Sequence, residues 1–210
     1  ADLTLVGSRP DRLFIDLAAR GHLWLKGVDR DQALTEQPLQ LRLKGPLSDG
    51  GSFDLQQVPL ALLALFAPVP DGLRGSLAAQ GRYSLPRGRR RTEMELNLSL
   101  QDASLASQPL QLERGEVSLQ GDLLTLDWLL RSGRSAEAVD LKGQIPLIAS
   151  KQGLELRLGS RGDGLRFLSH LAGPGVQWRQ GSADLQLLVR GSLLQPVANG
   201  FLRFSDGDLE

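Results

Sequence analysis

Apolar and polar side chains alternate along most of this chain with a period of two. In TEMELNLSLQ, Met94, Leu96, Leu98 and Leu100 fall on one side of an extended backbone, and Glu93, Glu95, Asn97, Ser99 and Gln101 on the other. LQLRLKG sets Leu39, Leu41 and Leu43 against Gln40, Arg42 and Lys44, and GLELRLGS sets Leu154, Leu156 and Leu158 against Glu155 and Arg157. GSADLQLLVRG sets Ala183, Leu185, Leu187 and Val189 against Asp184, Gln186 and Arg190. Successive side chains of a strand point to opposite faces, so each segment predicts a strand with one dry and one wet face. Less regular versions lie at 13–17, 21–26, 51–55, 75–85, 109–113, 115–120, 122–130, 136–147 and 198–204. Gly, Asp, Asn, Pro or Ser separates nearly all of them, as tight antiparallel connections require, which gives about a dozen strands. Such one-sided alternation excludes a parallel sheet covered by helices, whose strands are apolar on both faces. An antiparallel sheet, sandwich, barrel or solenoid remains.

Two segments depart from the pattern. QQVPLALLALFAP places Val58, Leu62, Leu65 and Phe66 at helical spacing, with Pro59 suited to a first helical turn and Pro68 to a stop. DGLRFLSHLAGPG places Leu165, Leu168 and Leu171 on one helical face before a Gly-Pro-Gly stop. Two short helices of two to three turns are expected, near 57–70 and 163–175. Similar text follows each of them: Pro68 and Gly75-Ser76 recur as Pro174 and Gly181-Ser182, 106 residues on, each time leading into a strand. We read residues 1–210 as one stretch of a repeated β-structure with repeat junctions near these two segments.

Composition sharpens the picture. The chain has 210 residues, 24 basic and 24 acidic side chains, two His, no Cys and 5% aromatics. Charge neutrality argues against electrostatic nucleic-acid binding, so no nucleic-acid partner is expected. Without Cys there is no disulfide framework, thiolate metal site or cysteine nucleophile. No apolar stretch reaches membrane-spanning length, the longest run, 58–69, being interrupted by Pro59 and Pro68. Both ends of the sequence fall within strand-like patterns, and the chain reads as an excerpt of a longer protein. Closed sandwich and barrel cores normally use aromatic plugs and β-branched residues, whereas the inward positions here are overwhelmingly Leu. That suits a lined trough for a fluid apolar ligand, although a GC-rich genome also raises Leu content.

Candidate chemistry is sparse. His22 and His170 sit in no metal-ligand spacing and read as structural. No GxSxG elbow occurs, and the acidic turns at Asp71, Asp163, Asp206 and Asp208 lack calcium-loop spacing. The chain is therefore expected to be no enzyme and to need no metal or cofactor. PRGRRRTE, with Arg87, Arg89, Arg90 and Arg91, reads as a solvated hairpin tip, the other reading being a contact for anionic headgroups or a partner. Trp24, Trp128 and Trp178 lie in strand-like segments and suit either a trough lining or an ordinary core.

These residues also resemble a family. GSADLQLLVRGSLLQPVANGFLRFSDGDLE, with Gly181, Gly191, Pro196, Gly200 and Gly207, is similar to a recurring phrase of TamB proteins. GDLLTLDWLLRSGRSAEAVDLKGQIPL, from Gly121 to Leu147, resembles another. TamB is similar in turn to the AsmA-like, bridge-like lipid transfer proteins. The resemblance implies an all-β fold: a long twisted antiparallel sheet curved into an open, U-shaped, Leu-lined groove, β-taco-like, with short helices. It further implies passive conduction of phospholipid acyl chains between inner and outer membranes. The location would be the periplasm or the equivalent plastid intermembrane space, within a longer inner-membrane-anchored protein. An outer-membrane TamA-like barrel would be the partner in that full-length context. The expected groove residues are Leu39, Leu41, Leu43, Met94, Leu96, Leu98, Leu100, Leu154, Leu156, Leu158, Leu185, Leu187 and Val189, with Glu93, Glu95, Arg157 and Gln186 facing solvent. Another reading is a scaffold for outer-membrane protein assembly acting through exposed sheet edges; a closed β-solenoid adhesin and an enzyme come after it.

Overall fold

The structure is a computed structural model that describes residues 2–6, 14–22, 38–46, 49–65, 72–86, 91–133, 135–149, 152–166 and 178–209. Twelve strands follow one another in chain order: β1 (Asp2–Val6), β2 (Phe14–Gly21), β3 (Leu39–Pro46), β4 (Gly50–Pro59), β5 (Leu73–Ser84) and β6 (Glu93–Leu105). β7 (Gln108–Gln120), β8 (Leu123–Ser132), β9 (Val139–Pro146), β10 (Leu154–Ser160), β11 (Trp178–Gly191) and β12 (Pro196–Leu209) complete the set. They form one antiparallel meander in which each strand pairs with its sequence neighbours, and the sheet does not close on itself. The chain is all-β, as the alternation requires.

The expected segments 109–113 and 115–120 are one strand, β7, with a bulge between Leu112 and Arg114 that breaks the period-two reading there. Gly21 ends β2, and 23–26 lie outside the described residues. The first expected helix is a 3-10 helix, Leu60–Leu65, and it starts later than the spacing suggested because Val58 and Pro59 still belong to β4. Of the second, only a turn at 162–165 and Arg166 are described; the rest lies outside the described residues.

No second layer covers this sheet among the described residues. Non-adjacent strands make no substantial contact, and the 3-10 helix rests mainly on β5. The molecule exposes 13975 Å², whereas a compact chain of its 22.8 kDa would expose about 9,600 Å². The described strands form one open sheet with β1 and β12 at its two ends.

The main cluster of buried side chains lies at the rim where even-numbered strands turn into odd-numbered ones. There Leu60, Ala103, Leu105, Leu110, Val139, Leu165 and Ala183 are buried together, with Leu100, Leu158 and Leu185 packed against them. Leu60 begins the 3-10 helix and Leu165 sits in the turn before β11, so both helical segments expected from sequence help to cap this rim. Asp163 fixes that cap: its two carboxylate oxygens accept the N–H groups of Ala136 and Glu137, each at 3.0 Å. Its carbonyl accepts the Ser135 hydroxyl at 3.1 Å.

Bulges cluster on β4, β5 and β6 beside this core, at the register shifts Leu55/Val58 and Arg74/Ser76. Gln57 and Asp102 have φ of 61° and 49°. An amide network stitches the three strands: Gln57 Nε2 donates to Gln101 Oε1 (2.9 Å), Gln101 Nε2 to Gln56 Oε1 (3.0 Å), and Ser76 Oγ to Gln57 Oε1 (3.1 Å). Gly75 sits at the crossing with φ +102°, and a Cβ there would lie 2.5 Å from Ala103 Cα. Both the dihedral and the clash oppose any side chain. Gly75→Ala is expected to destabilise the fold by about 2–3 kcal/mol, read as a lower urea midpoint at unchanged m-value. Gly21→Ala, where nothing lies within 4 Å, is the silent control.

Candidate functional site

Because residues paired across strands share a face, the register decides whether the apolar sides of the twelve strands join. They do. One row crosses β2 to β7 through Leu17, Leu43, Phe53, Gly81, Leu96 and Val117. It continues across β8 to β12 through Leu126, Gly143, Leu156, Val189 and Ala198. Leu3 extends the register into β1. Every position of the row is apolar or Gly, and at about 4.8 Å per strand it runs for roughly 50 Å.

A second row lies beside it. Ala19, Leu41, Leu55, Ala79 and Leu98 form its first part, and Trp128, Leu141, Leu158, Leu187 and Gly200 its last. Gly115 joins the two parts, paired with Trp128 and set so tightly on the Leu98 main chain that a Cβ would meet Leu98 O at 2.4 Å. Toward the other rim, Tyr83, Met94, Leu119, Leu124 and Ile145 continue the same face.

All thirteen sequence-expected groove residues lie on this face. Leu43, Leu96, Leu156 and Val189 fall in the first row, and Leu41, Leu98, Leu158 and Leu187 in the second. Met94 belongs to the row through Tyr83. Leu39 pairs with Gly21, Leu100 with Leu77 and Leu185 with Ser160. Leu154 pairs with Gly191 and is buried, 4% exposed. The other twelve are half-buried, their flanks covered by neighbours and their outer surfaces bare. Leu100, Leu158 and Leu185 also support the rim core.

Sequence reasoning missed Phe53, Val117, Leu126 and Leu141 as members. The strands of Phe53, Val117 and Leu126 carry adjacent leucines (Leu123-Leu124, Leu129-Leu130) or bulges, so parity is ambiguous until pairing is known; β9, which holds Leu141, has neither. Trp128 lies on the apolar face with its Nε1 buried and without a hydrogen-bond partner. Trp24 and His170 lie outside the described residues, as do Arg87, Arg89 and Arg90, and the Trp178 side chain is likewise not described. His22 is exposed.

The opposite face is polar. Glu93, Glu95, Arg157 and Gln186 lie on it and are exposed. Ion pairs run across its strands: Lys44–Asp16 (3.7 Å), Arg114–Asp127 (2.8 Å), Lys142–Asp127 (3.8 Å) and Arg190–Glu155 (3.2 Å). Two depressions open on this side. One, of about 750 Å³, is lined by residues of β2 to β6 including Asp16, Arg42, Lys44, Asp54, Arg82 and Glu95. A smaller one, of about 300 Å³, lies among Glu95, Asn97, Glu116, Ser118, Thr125 and Asp127. The larger depression mixes both signs of charge, with Lys44 paired to Asp16, whereas the charged residues of the smaller one, Glu95, Glu116 and Asp127, are all acidic. No group of three or more His, Cys, Asp or Glu is placed to hold a metal among the described residues.

Set against known proteins, the chain matches no family model, no curated sequence and no solved structure.

Glu113, the bulge residue of β7, is gripped by Arg131 of β8 through Nε (2.5 Å) and Nη2 (3.3 Å). The hydrogen bond to Arg131 holds the Glu113 carboxyl below its ordinary value, against a smaller opposing effect of desolvation. A depressed folded-state value means that the pair stabilises the sheet above the unfolded-state pKa of Glu, about 4.3. That contribution is lost as pH falls through the lower folded value. Thermal melts from pH 6 to pH 3 should therefore show a shallower fall in Tm for Glu113→Gln than for the parent chain.

Proposed function

We propose that this protein binds and conducts lipid acyl chains along its apolar sheet face, as part of a TamB-like, bridge-like lipid transfer system in the periplasm or an equivalent intermembrane space. One observation carries the reading: a continuous, largely half-exposed apolar face that keeps its parity from β2 to β12. Left in water, such a face is costly. Each 1,000 Å² of it covered by hydrocarbon contributes on the order of 25 kcal/mol. A two-chain phospholipid has the matching problem, since exposing about thirty CH₂ groups costs on the order of 25 kcal/mol at ~0.8 kcal/mol each. Docking the tails on the face removes both penalties while the headgroup stays in water.

Passive movement follows from the same chemistry. The two rows present Leu, Val, Ala, Gly and a few rings, so a tail meets dispersion contacts with no directional hydrogen bond to hold it. Neighbouring positions along a row are close to equivalent, which keeps the barriers to sliding low. No step needs a cofactor or a reaction.

A second reading has its own observation. Among the described residues β12 pairs on one side only, with β11, and Val197, Phe201, Leu202 and Phe204 are each about half-exposed, at 58%, 46%, 52% and 50%. A client or partner strand would find both backbone hydrogen bonds and apolar side chains there, as a scaffold for outer-membrane protein assembly requires.

Purified protein is expected to carry phospholipid detectable by mass spectrometry, and photo-crosslinkers at Leu98 and Leu187 should capture it. Leu98→Arg with Leu187→Asp should cut that capture several-fold while leaving the β-sheet circular-dichroism spectrum intact. Unchanged capture would sink the conduit. Asn199→Pro, placed on the β12 edge, separates the readings: it should leave lipid capture alone and abolish any assembly of client barrels.

A further inference from the structure

Two turns stand side by side on the rim opposite the packed core: β9–β10, beginning at Leu147, and β11–β12, at 192–195. They expose four aliphatic side chains, Leu147 (54%), Ile148 (53%), Leu193 (43%) and Leu194 (68%). Neither 146–150 nor 192–196 contains a charged residue, and the first charge after the former in sequence is Lys151. The turns are tied together. Leu194 N–H donates to the Ala149 carbonyl (3.2 Å), and Gly153 N–H to the Gly191 carbonyl (3.1 Å). Two further donors are held within the protein: Leu147 N–H donates to the Asp122 carbonyl (2.7 Å), and Gln195 N–H to the Ser192 carbonyl (3.3 Å) and hydroxyl (3.2 Å).

We propose that this double-turn tip inserts shallowly into the hydrocarbon boundary of a lipid bilayer. Three features select lipid over a protein partner. The exposed groups are purely aliphatic, whereas protein-binding hot spots are built on Trp, Tyr and Arg, and Leu is under-represented in them. Four of the turns' backbone donors, those of Leu147, Gly153, Leu194 and Gln195, are already satisfied inside the protein, which lowers the cost of leaving water. The tip is also continuous with the apolar face, since Ile145, Leu154 and Val189 are the residues of β9, β10 and β11 that lead into it. Insertion would bring the hydrocarbon of the bilayer against the open rim of that face, where a tail can pass between them. This last point rests on the lipid-binding reading; the insertion itself does not.

The chain has no Cys, so Leu194→Cys labelled with the fluorophore NBD gives a unique probe. With vesicles of phosphatidylcholine and phosphatidylglycerol, its emission should shift to the blue and rise several-fold, and nitroxides on the lipid acyl chains should quench it. The same label at Glu116→Cys, on the polar face, should not respond. Leu193→Asp with Leu194→Asp should weaken co-flotation with these vesicles by roughly tenfold or more. No shift at 194, an equal shift at 116, or unchanged flotation of the double variant would overturn the proposal. A shift without vesicles that grows with protein concentration would also overturn it, by assigning the tip to a second copy of the chain. Tip insertion without lipid capture at Leu98 and Leu187 would leave this inference standing and remove the conduit, and the converse result would remove only the tip.

Discussion

A sheet with one apolar face cannot leave that face bare at no cost, and everything else in this molecule follows from how the cost is met. Most β proteins fold a second sheet over the first or close the sheet on itself. Here twelve strands lie in simple sequence order, and no described element covers more than one rim. The apolar face is therefore a surface rather than the inside of a closed core.

Keeping such a face continuous is a demanding register problem. A slip of one residue between any two strands would turn every later Leu outward. The cross-strand ion pairs on the opposite face, such as Asp16 with Lys44 and Glu155 with Arg190, join positions that the correct register sets opposite each other. The glycines act from the apolar side. Gly81, Gly115 and Gly200 lie within the two rows and let neighbouring main chains approach closely. The bulges sit near the packed rim, where the amide network of Gln56, Gln57 and Gln101 and the Glu113–Arg131 pair hold them. The register shifts among the described strands are thus kept toward one rim.

The two rims differ accordingly. One is closed by Leu60, Leu165 and their buried partners and tied by Asp163. The other ends in short turns whose aliphatic side chains stay about half-exposed or more among the described residues.

Much of this was legible in the residues themselves. Period two in TEMELNLSLQ, LQLRLKG, GLELRLGS and GSADLQLLVRG placed thirteen side chains on strand faces, because the direction of a side chain along a strand is a local property. Local signals failed where the backbone leaves that period. The Glu113 bulge split β7 into two apparent strands, and the doubled leucines of β8 hid which of them face the rows. The first helix was misplaced by two residues because Pro59 suits both the end of an edge-free strand and the first turn of a helix. The sequence alone thus determined the fold class, the strand inventory and the dry side of each strand. Only the tertiary structure decided that those dry sides meet in one unbroken face, that nothing in the described chain covers it, and that one rim is packed while the other exposes Leu147, Ile148, Leu193 and Leu194. Those are matters of register and layer count, which depend on hydrogen bonds between residues distant in sequence and leave no trace in the alternation of any single strand.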